Sequence, residues 1–129
     1  MTKGGNNMRV IEGTTIKINR GDILPLRLTI PISDEENYVF QIGDVVRFAI
    51  YGKKQYQNEP YVLKEIVVQE ETEHVNFVIE SEEMKFGDII NKPTTYWYEV
   101  ELNGEQTVIG YDDDGAKEFI LYPEGSEVL

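Results

Sequence analysis

Cysteine is absent from this 129-residue chain, which removes disulfide frameworks, thiolate metal sites and cysteine nucleophiles from consideration. Histidine and tryptophan occur once each, at His74 and Trp97. Basic residues are scarce: 12 lysines and arginines face 24 acids, a formal charge of -12 whose field repels phosphate backbones and anionic lipid head groups. Nucleic acid and membrane surfaces are therefore not expected partners. No run of about 18 apolar residues exists to span a bilayer. The start, Met1 to Arg9, is polar and lacks the apolar core of a signal peptide, so the chain is expected to be made and kept in the cytoplasm unless an assembly carries it elsewhere.

What is present is a two-residue rhythm. Thr94-Thr95-Tyr96-Trp97-Tyr98-Glu99-Val100-Glu101-Leu102 alternates its faces and is rich in residues that favour extended backbone. Leu24, Leu26, Leu28, Ile30 and Ile32 share one face of another run. Pro25 and Pro31, which cannot donate ladder hydrogen bonds, mark that run as an edge strand or one paired on a single side. Val46, Phe48 and Ile50 point one way and Val45, Arg47, Ala49 and Tyr51 the other. Residues 10–12 and 14–18 read as a short first strand or a pair kinked at Gly13. Residues 61–69 and 75–80 read as the arms of a hairpin.

Asn103-Gly104 is a strong two-residue hairpin signal, with residues 107–111 as the return arm, and Asp114-Gly115 turns into a last strand at 118–122. Three Gly-Asp pairs, Gly21-Asp22, Gly43-Asp44 and Gly87-Asp88, repeat one turn chemistry. The one helical signal is a short turn at 81–87, with Ser81 as its cap and Gly87 as its stop. About seven to nine short strands and no long helices predict an all-β, antiparallel, immunoglobulin-like sandwich; a closed barrel is the alternative. The expected organisation is a disordered segment over 1–8, a single domain over 9–122 and a loose tail over 123–129.

Few residues carry chemistry. His74 beside Glu73 lacks a nucleophile motif and reads as a solvated strand end. Asp112-Asp113-Asp114-Gly115 has adjacent rather than alternating acids, which fits a turn and not a calcium loop. Glu70, Glu71 and Glu73, or Glu80, Glu82 and Glu83, are the kind of acid clusters a chain this acidic supplies by chance. No catalytic residue, cofactor or metal is expected, and the chain reads as a non-enzyme. The candidate contact surface is aromatic and polar: Tyr51, Lys53, Lys54, Tyr56, Tyr61 and Trp97. If Tyr96, Tyr98, Val100 and Leu102 face inward, Trp97 faces outward and needs a cover, which implies a subunit interface. Used as a stacking platform, the same aromatics define the alternative function, a carbohydrate-binding module.

The succession Ile18-Asn19-Arg20-Gly21-Asp22, then residues 24–30, then Gly43-Asp44-Val45-Val46-Arg47-Phe48-Ala49-Ile50, then Tyr96-Trp97-Tyr98-Glu99-Val100-Glu101-Leu102, resembles the β-sandwich modules of tail and baseplate proteins in phages of Gram-positive bacteria. The nearest likeness is to the N-terminal module of baseplate upper proteins, across roughly residues 14 to 122. Ile23 stands where that pattern usually has threonine. The resemblance implies a non-catalytic virion or prophage component assembled by protein-protein contact with other virion subunits, often as a symmetric homo-oligomer. It transfers no binding residues, because the matching positions are turns and core.

Overall fold

The structure is a computed structural model and describes residues 9–11, 15–52, 59–110 and 115–124. The described residues form nine strands: β1 Arg9–Ile11, β2 Ile16–Asn19, β3 Leu24–Leu28, β4 Val45–Tyr51, β5 Val62–Val67, β6 Val75–Ile79, β7 Thr94–Leu102, β8 Gln106–Ile109 and β9 Lys117–Tyr122. They make a sandwich of two sheets, a smaller one ordered β1-β3-β6 and a larger one ordered β2-β9-β7-β4-β5, with β8 paired to β7. Ladders among β3 to β9 are antiparallel, whereas β1 runs parallel to β3 and β2 parallel to β9. The kinked pair expected at the N-terminus is thus split between sheets, β1 serving one and β2 the other.

Alternation decides the core. Leu24, Leu26 and Leu28 from β3 and Val75, Phe77 and Ile79 from β6 are buried against Val46, Phe48 and Ile50 of β4 and Tyr96, Tyr98 and Val100 of β7. Phe48 joins the layers, its ring 6.0 Å from Phe77 in the opposite sheet and 5.7 Å from Tyr98 beside it. Each such side chain contributes about 2 kcal/mol on leaving water.

Three expectations are corrected. First, β3 is the central strand of its sheet and not an edge. β1 runs beside Leu26 to Leu28 only, so Pro25 lies outside that ladder, and Pro31 lies beyond the strand in an isolated bridge to Asn37. The apolar face also ends early: Ile30 is half-buried and Ile32 is exposed. Second, residues 61–69 and 75–80 are not a hairpin, because β5 pairs with β4 and β6 with β3. Backbone bonds from Val68 N–H to Asp44 O (2.8 Å) and from Phe40 N–H to Thr72 O (2.7 Å) carry the connection across from one sheet to the other. Both strands are amphipathic, and that pattern does not say which sheet supplies the partner.

Third, the short helical turn expected at 81–87 is present, as a 3-10 turn over Glu83–Lys85, but the expected Ser81 cap is not made. The Ser81 hydroxyl donates instead to Gly21 O, and the Glu83 carboxylate accepts the Glu80 N–H at 2.9 Å. The three Gly-Asp turns share a left-handed glycine, with φ of 90° at Gly21, 95° at Gly43 and 70° at Gly87. Asn103 and Gly104 (φ 56° and 67°) close the β7–β8 hairpin as expected, with Glu105 N–H bonding Leu102 O at 3.2 Å. Residues 1–8, Asp112, Asp113, Asp114 and residues 125–129 lie outside the described set. The beginning of the expected tail is docked, since Pro123 O accepts from Asn19 Nδ2 at 3.2 Å.

Candidate functional site: the outer face of the larger sheet

With Val46, Phe48 and Ile50 committed to the core, Arg47, Ala49 and Tyr51 point to the opposite side of β4. Register then assembles their neighbours: Tyr51 lies opposite Trp97, Ala49 between Leu63 and Glu99, and Arg47 between Glu65 and Glu101. The centre of this outward face is as dry as the core. Ala49 is 0 % exposed and Tyr51 5 %, while Trp97 is half-buried and Leu63, on the edge strand β5, is 47 % exposed.

A polar cluster runs through the same face. Arg47 Nη1 donates to Glu101 Oε1 at 3.0 Å and to Tyr51 Oη at 3.5 Å, and Tyr51 Oη donates to Glu99 Oε1 at 3.4 Å. Burial pushes the Glu99 carboxyl above its ordinary range, and the neighbouring Glu101 charge adds to the shift. Burial likewise raises the Tyr51 phenol. A carboxylate held by a guanidinium is an orienting group, so the arrangement favours binding through charge and aromatic surface over proton transfer.

The raised Glu99 pKa has a stability consequence with a definite sign. Because the folded state holds the proton more tightly than the unfolded chain, ionisation opposes folding; the penalty is absent below the unfolded value and complete above the folded one. Glu99→Gln keeps the acceptor for Tyr51, so it is expected to raise Tm at pH 7 while leaving Tm near the wild-type value at acid pH. Thermal melts across that range check this; an equal effect at both ends would contradict it.

Of the aromatics expected at the contact surface, Tyr51 and Trp97 come together here and Tyr61 does not. Its ring stacks on Phe86 (5.5 Å) and meets the edge of Tyr96 (5.8 Å), covering one end of the sandwich. A Cβ on Gly52 would stand 2.7 Å from that ring, so glycine makes the approach possible. Lys53, Lys54 and Tyr56 lie outside the described residues. Arg47, Glu99 and Glu101 were not singled out from sequence. Strand alternation placed each pair on one face of its own strand, but only the β4–β7 pairing joins them.

His74 is exposed at the entry to β6, its backbone bonded through the Thr72 hydroxyl. Glu83 is taken up by Lys64, whose Nζ lies 3.0 Å from both carboxylate oxygens. Among the described residues no group of three or more histidine, aspartate or glutamate side chains is placed to hold a metal ion, and no helix is long and apolar enough to cross a membrane. Fold and face together define an all-β sandwich module with a charged, aromatic outer surface. Compared with protein-family models, curated proteins and solved structures, the chain matches none.

Proposed function

We infer that this chain is a non-catalytic structural module of a phage or prophage virion, a tail or baseplate component that works by protein-protein assembly. The observation that carries the reading is the gathering of Trp97, Tyr51, Arg47 and Leu63 on one outward sheet face. Tryptophan, tyrosine and arginine are the residues that most often dominate protein interfaces, and a half-buried tryptophan beside a dry sheet centre needs little further desolvation to become an anchor. The resemblance of the Gly-Asp turns and the strands that follow them to baseplate modules supports the virion assignment. Assembly into the virion then follows synthesis in the cytoplasm.

Trp97 is the sole tryptophan, so its emission reports this face without ambiguity. Mixed with products of neighbouring tail genes, the protein should form a complex of defined mass by light scattering, with Trp97 emission shifted to the blue and with Trp97→Ala weakening the complex by tenfold or more, about 1.4 kcal/mol. A chain that stays monomeric with each of them at high concentration would overturn the proposal. An emission change on glycan titration alone would replace it with a carbohydrate-binding function.

A further inference from the structure

One flank of the sandwich is bounded by edge strands of different sheets. Among the described strands, β5 pairs only with β4, and β6 only with β3. At one end the gap between them is shut by the Glu83 carboxylate, which joins Lys64 of β5 to the Glu80 N–H at the end of β6. At the other end it stays open as a groove of about 250 Å³, lined in part by Ile66, Val68 and Val75, with Val67, Glu70 and His74 at its margins. Val68 and Val75 are buried, Ile66 half-buried and Val67 51 % exposed.

The backbone of β5 is available along this groove. Val68 directs its N–H to Asp44 O, toward β4. Alternation along the continuous β4–β5 register therefore turns the N–H and C=O of Glu65 and Val67 away from β4, toward the open side, where Val67 O accepts the Gln69 side-chain amide at 3.1 Å, a bond that an incoming strand would replace. A strand edge with no partner strand among the described residues, over an apolar floor, is the site that strand addition uses: main-chain bonds supply affinity, and alternate side chains enter the groove.

Charge selects the occupant. Glu65, Glu70, Glu71 and Glu73 are exposed at or beside the groove, and Lys64, on β5, is engaged by Glu83. A second copy of this chain would bring the same acids against these and another formal charge of -12. We propose that the open half of the β5–β6 flank docks an extended segment of a protein partner, one that bears lysine or arginine between apolar residues and adds as a strand alongside β5. The inference rests on the assembly reading only in requiring a protein partner. A chain that binds the probe below but no tail-gene product keeps the groove and loses the virion assignment.

The probe is a heptapeptide alternating lysine and valine, set against a glutamate-valine counterpart and a lysine-valine peptide with a central proline. Hydrogen exchange on the full chain is expected to show the Glu65 and Val67 amides slowed about tenfold by the first peptide only, with binding weakened several-fold by about 0.3 M salt. Val67→Pro removes an outward donor that β4 does not use, and the triple reversal E70K/E71K/E73K acts on exposed side chains alone. Each should reduce affinity by about tenfold or more. Ile89→Lys, at another exposed apolar site, should leave it unchanged. Equal binding of the acidic peptide, slowed exchange at β6 in place of β5, no binding by any peptide, or slowing of the same amides through self-association would each refute the proposal.

Discussion

Arg20→Ala is expected to lower folding stability by about 3 kcal/mol, because it removes a buried guanidinium whose charge-assisted hydrogen bonds hold two backbone carbonyls. Arg20 follows β2 and is 5 % exposed, with its own N–H bonded to Tyr122 O at 2.8 Å. Its guanidinium Nη2 donates to Lys85 O at 2.7 Å and reaches Gly87 O at 3.5 Å. The next residue adds to the same seam, since Gly21 N–H bonds Met84 O at 3.3 Å and Gly21 O accepts the Ser81 hydroxyl. The turn between β2 and β3 is thereby stitched to the 3-10 turn before β7.

A chain of this size should lose about 10 °C in Tm for such a change. Arg20→Met, which keeps most of the stem, should recover little of the loss if hydrogen bonding and not packing is responsible, and Arg20→Lys should fall short because an ammonium is a more strongly hydrated point charge and costs more to bury than a guanidinium. Urea unfolding measures all three. A loss below about 1 kcal/mol in Arg20→Ala would show that the clamp carries little of the fold's stability.

Phe48→Ala is expected to cost more, about 4 kcal/mol, through lost burial and the cavity left between the sheets. Phe48→Leu should cost about 1 kcal/mol, since most of the volume is kept. The ring's contact with Phe77 is one of the places where the layers interlock, so the Phe48→Ala and Phe77→Ala effects should be non-additive by about 0.5 kcal/mol or more. Strict additivity in chemical denaturation would mean the layers pack independently at that point.

Both positions show how far sequence reaches. Phe48 was legible as core because its neighbours Val46 and Ile50 repeat at two-residue spacing, and a sheet with one buried face leaves no other place for them. Arg20 was visible only as part of a turn motif. Its burial depends on residues 81–87 arriving beside it, some 65 positions along the chain from Arg20 to Lys85. The outer-face cluster behaves the same way: Trp97 was expected outward from alternation, but its neighbour Tyr51 and the Arg47–Glu101 pair depend on strand register.

Local chemistry by itself determined the all-β class, the inward residues of β4 and β7, the positive-φ glycines of the Gly-Asp turns and the Asn103-Gly104 hairpin, because side-chain alternation and backbone φ preferences act within a few residues. Tertiary structure alone decided that β3 is flanked on both sides, that β5 and β6 part to opposite sheets, and that an open groove is left between them. Those outcomes turn on which distant strand satisfies each strand's hydrogen bonds, and an amphipathic strand presents the same pattern to any partner.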